Sequence, residues 1–75
     1  MMSPNCFNAL IEQAVFLIYE LGNYEISDFT PSFIYQMIEN EEVQNEWDSL
    51  TSDQQEKIAF DLRLEIEGAE VYEYN

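Results

Sequence analysis

Seventy-five residues at 8.9 kDa make one domain, 1–75, and 16 Asp and Glu against 2 Lys and Arg give it a formal charge of −14 and a pI near 4.1. That sign excludes direct nucleic-acid binding through phosphate contacts, and zero histidines with one cysteine remove most metal sites and most nucleophile–base chemistry. A composition that is 47% hydrophobic and 15% aromatic is too apolar for an acidic disordered tail, which leaves a folded domain suited to binding something basic.

Along the chain, Ser3-Pro4 reads as an N-cap followed by proline at the first helical position. Phe7, Leu10, Ile11, Ala14, Val15, Leu17, Ile18 and Leu21 then recur at helical spacing. The stripe is wide, which marks this as the central helix. Gly22-Asn23 closes it, and Tyr24, Ile26 and Phe29 of the following connector are available to fold back on the core. Thr30-Pro31 repeats the start signal, with Phe33, Ile34, Met37 and Ile38 as the apolar face. Continuing that helix would bury Glu41, so it is expected to end near Asn40 and restart there, with Asn40 as cap and Glu41 and Glu42 in the favourable first turn. The short new helix buries Val43, Trp47 and Leu50 at i, i+4 and i+7.

Thr51-Ser52-Asp53-Gln54 has the spacing of a capping box and opens the last helix. Ile58, Ala59, Leu62, Ile66 and Ala69 share one of its faces, and Gly68 marks its expected end. A competing pattern runs through the same segment. Phe60, Leu62, Leu64 and Ile66 alternate with Asp61, Arg63, Glu65 and Glu67, as a strand would, and Glu67-Gly68 offers a turn into a second strand. Good helix formers and the lack of a break over residues 54–67 favour the helix. The expected fold is therefore all-α, a compact bundle of three to four short helices. The alternative is an α+β fold with a C-terminal β-hairpin.

A chain this short buries only ~60% of its unfolded surface, and Cys6, read as a small buried hydrophobe, cannot form an internal disulfide. A lone thiol fits a reducing compartment. The N-terminus lacks the positive charge of an export signal. The apolar run at residues 14–19 lies between Glu12 and Glu20, too short to span a bilayer, and anionic lipid would repel the chain. These features predict a soluble, cytoplasmic protein with no membrane partner.

No Lys or Arg precedes Lys57, so residues 1–56 hold 11 carboxylates without counter-charge. The two cations are expected in the i, i+4 pairs Asp53–Lys57 and Arg63–Glu67. The densest acidic stretch is Glu39, Glu41, Glu42, Glu46, Asp48, Asp53 and Glu56. The inward Val43–Trp47–Leu50 stripe leaves Glu41, Glu42, Glu46 and Asp48 directed to water. Acidic surfaces promote solubility, but −14 exceeds the magnitude of about 2–8 usual for a small soluble domain.

A DNA strand carries one phosphate per about 3.4 Å, and an α-helix rises about 1.5 Å per residue. Carboxylates two to four residues apart thus match phosphate spacing to first order. In size, net charge and the acidic stretch 39–56, the chain resembles small, acidic, phage-encoded inhibitors that imitate nucleic acid: anti-restriction proteins, uracil-DNA glycosylase inhibitors and some anti-CRISPR proteins. The resemblance implies a non-catalytic inhibitor, of anti-CRISPR type first, that blocks the DNA- or RNA-binding channel of a bacterial defence complex. Its partner would be a basic nucleic-acid-binding protein or a CRISPR effector complex in the cytoplasm of a bacterial host. No cofactor, metal or catalytic residue is expected, because no EF-hand loop, phosphate loop or catalytic lysine accompanies the carboxylates.

The alternative reading is an acidic adaptor or antitoxin-like module that recognises one basic partner by shape. Trp47 is expected in the core. Val71, Tyr72 and Tyr74 are available to dock on a partner or on a second copy, so a homodimer stays open.

Overall fold

A computed structural model describes residues 2–73 of the chain, and the side chains of residues 2–68. Each helix begins where local chemistry satisfies its first backbone N–H groups. Helix α1 (Pro4–Val15) starts at Ser3, whose hydroxyl accepts from the Cys6 N–H. Helix α2 (Pro31–Met37) starts at Thr30, which accepts from Phe33 N–H at 3.3 Å. Helix α3 (Glu41–Asp48) starts at Asn40, which accepts from Glu42 and Val43. Helix α4 (Ser52–Glu73) opens on a reciprocal capping box: Thr51 N–H donates to Gln54 Oε1 at 2.9 Å, and Gln54 N–H to Thr51 Oγ1 at 3.2 Å.

The all-α expectation is met, with no strand among the described residues. Leu62 and Ile66 are fully buried on α4, while Phe60 and Leu64 are exposed. The strand-like alternation is thus two helical faces, one toward the core and one toward solvent. Gly68 does not end α4, which runs through it to Glu73. Gly68 has no left-handed φ, so it makes no C-terminal cap of the kind seen at Gly22. Ala69, Val71, Tyr72 and Tyr74 lie outside the residues whose side chains are described.

The core joins Cys6, Leu10 and Ala14 of α1 to Ile34 and Met37 of α2, Val43 and Trp47 of α3, and Ile58, Ala59, Leu62 and Ile66 of α4. Helix α1 packs against both α3 and α4. Beyond Val15 it widens into a π-helical turn, Phe16–Leu21, that stops at Gly22 with φ of 72°. Leu17 and Ile18 stay partly buried there, but Leu21, expected on the buried stripe, is exposed. A six-residue π segment changes the number of residues per turn, so a face extrapolated at the α-helical period no longer points inward.

The connector then folds back as expected. A 3₁₀ turn at Ile26–Asp28 delivers Phe29 into the core, where it meets Phe33 edge-on at 5.1 Å between ring centroids. Helix α2 ends at Met37, short of Asn40. Gln13 of α1 donates to the Met37 carbonyl, satisfying one of the acceptors a helix end leaves open.

Candidate functional site

Helices α3 and the start of α4 carry the acidic stretch, and the structure divides it into two kinds of carboxylate. Glu39, Glu41, Glu42, Asp48, Asp53 and Glu56 are exposed. Glu39 lies in the extended link between α2 and α3. Glu41 and Glu42 occupy the first turn of α3 and Asp53 the first turn of α4, where the helix dipole favours negative charge. Asp48 accepts from Gln44 Nε2 at 2.9 Å, which steadies it without neutralising it.

Glu46 departs from the expected arrangement. It does not point to water but reaches the N-terminal cap of α1, 43 residues away in sequence: Ser3 N–H donates to Oε1 at 2.7 Å and the Ser3 hydroxyl to Oε2 at 3.0 Å. The Val43–Trp47–Leu50 stripe is buried as expected. Position 46 precedes Trp47 at the edge of that stripe, where α1 packs on α3, so its side chain meets another helix instead of solvent. The Ser3 backbone N–H is the main influence holding the Glu46 carboxyl below its ordinary value of 4.5. A hydrogen bond from the Cys6 thiol and the Ser3 hydroxyl add to it against the opposing effect of burial.

The same contacts act on Cys6. The hydrogen bond with Ser3 pulls the thiol down, but burial, the Glu46 hydrogen bond and the charges of Glu46 and Glu42 together raise it above its ordinary 9.0. Cys6 Sγ and one carboxylate oxygen each from Glu42 and Glu46 lie within 4.8 Å of one another. Among the described residues, these come nearest to a cation site. Both Glu46 oxygens already accept from Ser3, so the Ser3–Glu46 contacts tie α1 to α3.

No protein-family model, curated protein or solved structure matches the chain.

Neither expected ion pair forms. Lys57 pairs forward with Asp61 at 3.2 Å instead of back with Asp53. Arg63 donates to the Phe29 carbonyl at 2.6 Å, 34 residues away, where it fixes the connector. Both cations are therefore engaged away from residues 39–56. Among the described residues, none of the six exposed carboxylates has a basic partner within salt-bridge distance.

Two further features were not anticipated from the sequence. One is the Ser3–Glu46 tie, which leaves no local signal because its partners are far apart in the chain. The other is an exposed apolar ridge on α4 made by Phe60 and Leu64, 55% and 51% exposed. Its signal was present, since the strand-like alternation placed apolar residues on a helix where one buried face could not hold them all. No described helix is long and apolar enough to cross a membrane.

Proposed function

We propose that this protein is a non-catalytic acidic inhibitor that occupies the cationic nucleic-acid channel of another protein, with an anti-CRISPR role in a bacterial host as the leading form. The observation that carries this reading is the uncompensated charge of Glu39, Glu41, Glu42, Asp48, Asp53 and Glu56, all exposed while Lys57 and Arg63 are engaged elsewhere. Helices α3 and α4 hold five of these six carboxylates, all but Glu39, on capped backbone. An array held in this way steers a basic partner at long range and competes with phosphates for the same Lys and Arg. Glu46 is removed from the binding set, because its carboxylate ties α1 to α3.

The test is binding to a purified CRISPR effector complex between roughly 50 and 500 mM NaCl, with duplex DNA or guide RNA as competitor. Affinity should fall steeply with salt, and nucleic acid should displace the protein. The double substitution Glu41→Lys with Glu42→Lys should abolish binding while the fold persists. Salt-independent binding, or binding that the double lysine variant retains, would remove the electrostatic basis of this reading. The adaptor reading is favoured by a different observation, the Phe60–Leu64 ridge, because phosphate imitation makes no use of exposed apolar side chains.

A further inference from the structure

Helix α4 directs Ile58, Ala59, Leu62 and Ile66 into the core, each 8% exposed or less. Phe60 and Leu64 leave the same helix on its solvent side. They are four residues apart, hence stacked neighbours on one face, and are 55% and 51% exposed. A shallow groove runs beside them, completed by Ile26 and Ser27 of the 3₁₀ turn and by Arg63 and Glu67. Four residues beyond Leu64 on this face comes Gly68, with nothing within 4 Å of where its Cβ would stand. Phe16, Leu21 and Tyr35 are about as exposed, but Phe60 and Leu64 stand together on one helix face beside a groove, which makes them a contiguous apolar patch.

Charge selects the occupant. Glu56 lies one turn before Phe60 and Glu67 one turn after Leu64, and both are exposed. The Asp61 carboxylate beside them is paired with Lys57, and Arg63, anchored on the neutral Phe29 carbonyl, sets one positive charge against the two carboxylates of Glu56 and Glu67, so the rim stays net negative. Nucleic acid and anionic lipid are repelled by such a rim. A second copy would bring the same carboxylates against themselves at a charge of −14 each. A helix with an apolar stripe flanked by Lys or Arg satisfies both features at once. Its stripe covers Phe60, Leu64 and Ile26, and its basic flanks meet Glu56 and Glu67, as in helix-in-groove recognition.

We propose that the Phe60–Leu64 ridge, with Ile26 and the carboxylates Glu56 and Glu67, is the docking site for a cationic amphipathic helix of a protein partner. This site shares only Glu56 with the acidic stretch 39–56 and goes beyond the inhibitor reading, which uses charge alone.

The test uses two labelled peptides of roughly fourteen residues. One is a helical Leu/Lys peptide with its leucines on a single face. The other has the same composition, scrambled so that no apolar face forms. Fluorescence anisotropy near physiological salt should show the amphipathic peptide binding at least about tenfold more tightly than the scrambled one. Phe60→Ser with Leu64→Ser should erase that preference, and Glu56→Gln with Glu67→Gln should weaken the amphipathic peptide several-fold. Amide chemical-shift mapping on the unsubstituted protein, which needs no variant to fold, should centre on Ile26, Phe60 and Leu64.

Glu41→Lys with Glu42→Lys should leave the preference between the two peptides intact, so failure of the inhibitor reading and failure of this one are distinguishable. Equal affinity for the two peptides, shifts centred on residues 39–48, or a preference that survives the double serine variant would overturn the proposal. So would self-association of the free protein that the serine substitutions abolish, because the occupant would then be a second copy.

Discussion

Helix α3 and the turn after it direct Val43, Trp47 and Leu50 inward, whereas α4 divides its large apolar residues between two faces. In α3 every apolar side chain is explained by the fold, and the charges on its outer side belong to the proposed inhibitor surface. In α4 the fold explains Leu62 and Ile66 but not Phe60 and Leu64. The difference separates two uses of hydrophobicity that composition cannot distinguish, holding the domain together and offering it to something else. The sharpest way to break the comparison is to remove one aromatic residue from each helix. Trp47, 1% exposed, should cost about 3–5 kcal/mol on substitution by alanine. That is a large part of the roughly 4–11 kcal/mol available to a domain of this length. Phe60→Ala should cost about 1 kcal/mol or less. Chemical denaturation of both variants checks this. Equal losses would mean that Phe60 belongs to the core and that the ridge is no separate surface.

The carboxylates divide in the same way, and a pH titration exposes the division. Glu46 is held by Ser3 and its pKa is depressed, so its stabilising contribution is complete above the unfolded carboxylate value and is lost as pH falls through the lower folded value. Glu46→Gln should therefore lower Tm at neutral pH, and the gap to the unsubstituted protein should close as pH drops below 4.5. The effect should be smaller than that of Trp47→Ala. Glu41→Gln, in the exposed first turn of α3, should change Tm at neutral pH by less than Glu46→Gln. A gap for Glu46→Gln that stays constant from neutral pH to about pH 3 would mean that the Ser3 contacts do not depend on the charge. The tie also changes the design of charge-reversal experiments: Glu42→Lys paired with Glu46→Lys would confound lost binding with a loosened α1–α3 contact, whereas Glu41→Lys with Glu42→Lys keeps both partners of the Ser3–Glu46 hydrogen bonds.

These contrasts show where the sequence was readable. Ser3, Thr30, Asn40 and the Thr51–Gln54 box were legible because a cap is a contact over two or three residues. The Val43–Trp47–Leu50 stripe was legible because one period accounts for it. Lys57 was harder, since it stands four residues from both Asp53 and Asp61, and spacing alone does not choose between them. Arg63 and Glu46 were not legible, because their partners, the Phe29 carbonyl and Ser3, lie 34 and 43 residues away and meet only once the bundle is assembled. Of the proposed binding surface, the acidic residues were visible as composition. The ridge was visible only as a conflict between two periodicities, resolved when α4 placed Phe60 and Leu64 opposite its core face.

Gly68 supplies the smallest effect and a check on the solvent side of α4. A glycine near the end of an apolar pattern reads as a stop because it adopts left-handed backbone without strain, as Gly22 does here with φ of 72°. Gly68 instead lies within α4, has no left-handed φ, and has nothing within 4 Å of a Cβ added to it. Alanine at that position creates no clash and removes the excess conformational freedom that glycine brings to the unfolded chain. Gly68→Ala should therefore stabilise the domain by about 0.5–1 kcal/mol, a rise in Tm of roughly 2–8 °C at this size. The same substitution at Gly22 should destabilise, because alanine is strained at positive φ. Thermal melts of the two variants carry opposite predicted signs. A loss of stability in Gly68→Ala would place the helix end at Gly68 instead of within α4.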